Sequence, residues 1–118
     1  MHPIYLAVTL ILAAMAAFSG AGKIRKDPRV VKIVCETVGV PHKYLGWLAA
    51  LELTGAVGLV GGIRWPPLGV AAGIGLVLYF LGAVISHVRA GDFKGIGPAA
   101  FLLILAAGAV ALRMLDAN

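Results

Sequence analysis

The sequence predicts an all-α membrane protein: four transmembrane helices packed as a bundle, with a short amphipathic interfacial helix between the first and second. Three observations lead there. Hydrophobic residues make up 61% of the 118-residue chain and charged ones only 13%, too few polar groups to wet the large relative surface of so small a soluble domain. The apolar residues fall into four continuous runs, at about residues 3–22, 44–63, 68–88 and 98–114. The basic residues gather between the runs. One transmembrane domain over residues 1–118 therefore accounts for the chain, with no separate soluble module.

The first run, Pro3 to Gly22, carries no charge. It reads as a retained span and not a cleaved signal peptide, because only His2 precedes it and the basic block follows it. His2 itself reads as a solvated terminus. The second run, Tyr44 to Ile63, is interrupted only by Glu52. The third is Leu68 to Val88. Each of these three is near 20 residues, enough for roughly 30 Å of hydrocarbon at about 1.5 Å per residue. The fourth, from Pro98, is slightly shorter and is expected to reach Met114 or Leu115. Continuous runs demand helices, since barrel strands alternate polar and apolar residues.

Eight of the ten basic residues (Lys23, Arg25, Lys26, Arg29, Lys32, Lys43, Arg89 and Lys94) follow spans one and three, leaving Arg64 and Arg113 for the other side. The positive-inside rule then puts both termini outside and the two longer loops in the cytoplasm of a multi-pass cell-membrane protein. Within the first loop, Asp27-Pro28 is an N-cap and first-turn pair and Gly39 with Pro41 a stop. Between them Arg29, Lys32 and Glu36 share one face, and Val30, Ile33, Val34 and Val38 tend to the other, the pattern of an interfacial helix. Tyr44, Trp47 and Trp65 sit near span ends, where aromatic side chains anchor. Of the 16 glycines, most lie inside spans. The pairs Gly69/Gly73 and Ala71/Gly75 have the small-xxx-small spacing that lets helix backbones approach closely.

Glu52 carries most of the chemical information. Eight residues into span two, it lies about 12 Å below the inner boundary on helical rise, a depth at which a carboxylate should face the bundle interior and bind a partner or a proton. Its bland reading is a packing hydrogen bond between helices. Tyr79, on the antiparallel span three, falls near the same level. His87 and Lys23 end spans three and one on the inner side, with His42 at the inner start of span two. Singly, Lys23 and His87 read as interfacial snorkelling residues; together with Glu52 they outline a path into the bundle. Other chemistries lack the residues. The lone Cys35 rules out an intramolecular dithiol, and no HxxxH or ExxH spacing offers a metal site. No serine or cysteine has a nucleophile's setting. The +5 net charge does not indicate nucleic acid, because it sits between spans where it sets orientation.

A first span ending Phe18-Ser19-Gly20-Ala21-Gly22-Lys23, a basic loop, then Tyr44-Leu45-Gly46-Trp47-Leu48-Ala49-Ala50-Leu51-Glu52-Leu53-Thr54-Gly55, and a third span ending in His87 together resemble the DoxX-like family, over about Ala7 to Met114. The resemblance implies a four-helix membrane protein with Lys23, Glu52 and His87 as recurring polar positions. The family's name also points to a subunit of thiosulfate:quinone oxidoreductase, with some relatives as partners in redox or thiol-stress complexes; Cys35 alone cannot relay thiols.

Three functions fit this inventory. The first is a polar intramembrane pocket for a small lipophilic ligand, quinone- or isoprenoid-like. Glu52 and His87 would be its catalytic residues, and Lys23 and Tyr79 would bind the ligand. The chain would act alone by acid–base chemistry such as isomerisation or epoxide opening, or as a subunit of a membrane redox complex. No cofactor is built in, although a quinone is admitted as ligand. The second is a small proton-coupled multidrug-type exporter using Glu52, opposed by the charge bias and by the carboxylate's place in span two instead of span one. The third is a non-catalytic scaffold or assembly subunit. A homo-oligomer is compatible with each.

Overall fold

The computed structural model describes residues 3–116, and the reading of His2 falls outside them. Helix α1 spans Pro3–Ile24. The chain leaves it through Lys26 in the left-handed region (φ 52°). Two closing bonds, Asp27 N–H to the Gly22 carbonyl (3.0 Å) and Lys26 N–H to that of Lys23 (3.2 Å), satisfy carbonyls of the last turn. Asp27 then caps α2 (Pro28–Val31), its Oδ1 accepting from Arg29 N–H at 2.9 Å. This helix runs on as a π-helical turn, Lys32–Thr37. The charged side of the segment, Arg29, Lys32 and Glu36, is exposed, while Val30, Val34 and Val38 are half-buried. Ile33, expected on the apolar side, is exposed, because the wider π turn rotates it outward relative to α-helical spacing. Gly39 (φ 92°) ends the segment.

After a 3-10 turn at His42–Tyr44 comes α3 (Leu45–Gly61). Extended Trp65 and the fixed φ of Pro66 and Pro67 at the start of α4 (Pro66–Arg89) make the tight reversal. Helix α5 runs Phe93–Asp116. It thus begins ahead of Pro98, where the apolar run starts, because Asp92 caps it: Asp92 Oδ1 accepts from Gly95 N–H at 3.3 Å. Pro98, inside the helix, withholds the one N–H that would have bonded the Lys94 carbonyl.

The four long helices, α3 taken together with the 3-10 turn that leads into it (His42–Gly61), are each long and apolar enough to cross a membrane. Successive helices run antiparallel; α1 packs on α3, α3 on α4, α4 on α5, and α5 returns to α1. The long axis measures 44 Å, matching a bilayer of about 40–45 Å with its head groups. Leu12, Leu59, Leu76, Phe80 and a set of alanines, among them Ala16, Ala56 and Ala106, fill the centre. The periphery is apolar as well: Phe18, Val57 and Ile104 are each at least 70% exposed. Such a surface is at home in lipid, and the chain is a multi-pass membrane protein whose long helices lie in a bilayer.

Small residues set the α3–α4 contact. A Cβ added at Gly58 would lie 2.7 Å from that of Ala72, and one at Gly61 2.9 Å from Leu68. Gly62 sits directly against the Gly69 backbone. Gly73 faces Val110 on α5. Of the two small-residue pairs, then, Gly69/Gly73 lies in the packing interfaces. Gly75 faces open space and Ala71 is exposed. At the end of the bundle away from the basic loops, Arg113 is buried, its guanidinium 5.1 Å from the Tyr5 ring centroid, close enough for a cation–π contact across α1 and α5.

Candidate functional site

The site lies toward the basic end, where α1, α3, α4 and α5 leave a cavity of about 510 Å³. That volume is in the range of small-molecule pockets, roughly 300–1,000 Å³. Glu52, wholly buried, projects from α3 toward the interior because the flanking turns, through Ala49 and Ala56, are on the buried face of the same helix. Position 23 occupies the last turn of α1, and Gly20 one turn earlier lets α1 close on α3: a Cβ there would touch Leu53 at 3.0 Å and the Ala49 carbonyl at 3.3 Å. This close approach brings the Lys23 ammonium to Glu52 Oε1, at 2.5 Å. Lys23 also donates to Ser19 Oγ at 2.8 Å. Its side chain is 10% exposed, so it turns into the bundle and does not snorkel outward.

Tyr79 on α4 donates its hydroxyl to the same Oε1, at 3.0 Å. Its ring is steadied edge-on by Phe80, centroids 5.2 Å apart at 85°, and the Lys23 ammonium lies 6.0 Å from its centroid. Glu52 Oε1 thus accepts two hydrogen bonds. Among the described residues Oε2, equally buried, has no hydrogen-bond partner. An ion pair so deep persists because each charge has the other and further hydrogen bonds besides; a carboxylate alone at that depth would be prohibitively costly.

His87 lines the same cavity but makes no hydrogen bond to Glu52. Its Nδ1 is 2.9 Å from Asp92 Oδ2. The pairing follows from how α4 ends. Gly91 (φ 70°) reverses the chain, and Asp92 N–H bonds the His87 carbonyl at 2.9 Å, folding the aspartate over the last turn. His42 is exposed and does not line the cavity. The structure therefore gathers Lys23, Glu52, Tyr79 and His87 around one cavity, with the first three in direct contact. Two participants escaped the sequence reading: Ser19 and Asp92. A third is the π-helical turn Lys32–Thr37 with Val38 just after it: Val34 and Val38 form part of the cavity wall. Among the described residues no three His, Cys, Asp or Glu side chains come together as a metal would need. Chemically, the cavity offers an apolar volume with a charged, hydrogen-bonding floor.

No curated protein and no solved structure gives a significant match to the chain. Residues 7–109 match the sequence profile of the DoxX-like family. That stretch contains the Lys23–Glu52–Tyr79 cluster, His87 and nearly the whole helical bundle, and the chain belongs to the DoxX-like family.

Proposed function

We propose that this DoxX-like membrane protein binds a small lipophilic molecule, quinone- or isoprenoid-like, in the cavity at its basic end, with Glu52 as the acid–base group. The observation that carries the reading is the Glu52 carboxylate itself. One oxygen is held by Lys23 and Tyr79 and the other is unpartnered, beside a cavity whose walls are mostly apolar. Pockets of this kind bury an apolar body and orient it through a few polar groups. Lys23 and Tyr79 position the carboxylate, and the His87–Asp92 pair offers a proton relay at the cavity's outer part. Such an inventory suits proton transfer, with the chain acting alone or as a subunit of a membrane redox complex. The resident Lys23 weighs against a multidrug exporter, because its ammonium already occupies the position a cationic cargo would need. A scaffold has no use for a charged cavity floor.

Extraction of the purified protein should yield about one lipophilic molecule per chain, detectable by native mass spectrometry. Glu52→Gln keeps the side-chain shape but gives up the charge-assisted contact, and it is expected to lower retention by about tenfold or more. A wild-type protein that never carries or takes up such a molecule would sink the proposal.

The same reading puts the basic end in the cytoplasm and both termini outside, as the distribution of Lys and Arg favours. Cys35 is the only cysteine and partly exposed. A membrane-impermeant maleimide should label it in inside-out vesicles and leave it unmodified in intact cells. Labelling from outside would reverse the orientation.

A further inference from the structure

We infer that the ligand of this cavity carries a hydroxyl head, as an isoprenoid alcohol or a hydroquinone does, and that the cavity rejects the matching ether or quinone. The inference rests on the reading of the cavity as a ligand site and follows from which polar atoms around it are already engaged. The Tyr79 hydroxyl and one Lys23 N–H are spent on Glu52 Oε1, and a second Lys23 N–H on Ser19. Ser86 donates to the Gly82 carbonyl at 2.8 Å, and His87 pairs with Asp92. Two groups remain. Glu52 Oε2 is a buried acceptor with no hydrogen-bond partner, and as one half of an ion pair a carboxylate only accepts. An ammonium has three N–H donors, so Lys23 keeps one N–H uncommitted.

A hydroxyl answers both at once. Its proton goes to Oε2, and its oxygen accepts from the third Lys23 N–H. An ether or carbonyl oxygen answers Lys23 alone and sets its lone pairs against those of Oε2, leaving the desolvated carboxylate oxygen unsatisfied. Oε2 is shielded from solvent, but the terminal torsion of glutamate is broad and soft, and a small turn about it, with the flexible Lys23 stem following Oε1, presents Oε2 to an arriving head group. The side chains around the rest of the cavity, such as Val34, Leu48, Phe80 and Leu102, offer an apolar tail only dispersion contacts. Selectivity therefore resides in the head. Sites built to hydrogen-bond a ligand's hydroxyl discriminate sharply against analogues lacking it, because the site's own polar group is left unpaired.

The test uses two matched pairs of probes on the full-length protein in nanodiscs: farnesol against farnesyl methyl ether, and 1-decanol against decyl methyl ether. Each competes with radiolabelled farnesol. The alcohols are expected to displace the label at concentrations about tenfold or more below their ethers, the scale of one hydrogen bond to a charged acceptor. In the double variant Lys23→Met/Glu52→Leu, which removes both buried charges together, that preference should collapse to about onefold while the thermal melt stays cooperative. Equal displacement by alcohols and ethers in the wild type overturns the hydroxyl assignment and leaves the cavity as a ligand site. Failure of all four probes to bind overturns the assignment together with the reading beneath it.

Discussion

Lys23→Met should destabilise the bundle by about 3–5 kcal/mol, the range found when one partner of a buried ion pair is removed. Glu52 would be left wholly buried beside Tyr79 alone, and its side chain is too short to reach water from that depth. The reverse deletion, Glu52→Leu, is expected to cost less. Lys23 stands on the last turn of α1, and its long stem can swing the ammonium back to the interface once nothing holds it inward. The double variant Lys23→Met/Glu52→Leu should recover most of the loss, since well-packed apolar pairs of similar volume often match or exceed the ion pair they replace. Reversible unfolding of the three variants in bicelles measures all of these, and the coupling energy follows from the cycle. If the losses of Lys23→Met and Glu52→Leu simply added in the double variant, the two side chains would not be coupled, and the 2.5 Å contact would have no energetic meaning.

This asymmetry also explains what could be read from the sequence and what could not. Hydrophobic continuity located the four helices, because in lipid a spanning segment has no other way to satisfy its backbone. Depth is also additive along a helix, and helical rise alone therefore put Tyr79 at the level of Glu52. Direction is another matter. Lys23 at a helix end is equally placed to reach out or in, and only the approach of α3, permitted by Gly20, decides it. Facing is similarly hidden. Gly69/Gly73 and Ala71/Gly75 have the same spacing, yet one pair is packed and the other faces outward, because a membrane helix meets apolar surroundings on both sides and carries little amphipathic signal. Val34 and Val38 posed the same problem: an apolar edge at the interface suits lipid or protein alike, and here it forms cavity wall. Asp92 had a readable cue, an acidic residue just after a glycine and just before a helix. That cue lies outside the apolar run, which begins only at Pro98.

Gly62→Ala should be among the most disruptive single substitutions of a small residue, costing about 3 kcal/mol, whereas Gly75→Ala should change stability by less than about 0.5 kcal/mol. The difference lies in what the new methyl meets. At Gly62 it runs into the Gly69 backbone, and at Gly75 it meets nothing within 4 Å. Gly55→Ala is expected between them, since its Cβ would lie 2.6 Å from Leu76 Cδ2, the end of a side chain that can change rotamer. Backbone cannot step aside in that way, so α3 and α4 must part. Without a hydrophobic effect to draw helices together in lipid, a lost close approach is not easily recovered elsewhere. The consequence reaches the site as well, because α3 carries Glu52 and α4 carries Tyr79. Parting them lengthens the 3.0 Å hydrogen bond between the two side chains and opens the cavity floor. Gly62→Ala should therefore lower ligand retention along with stability, although it touches no cavity residue, and Gly75→Ala should leave both unchanged. Equal effects at the two glycines, measured by bicelle unfolding and by mass spectrometry of the extracted ligand, would mean that the α3–α4 contact does not govern the site.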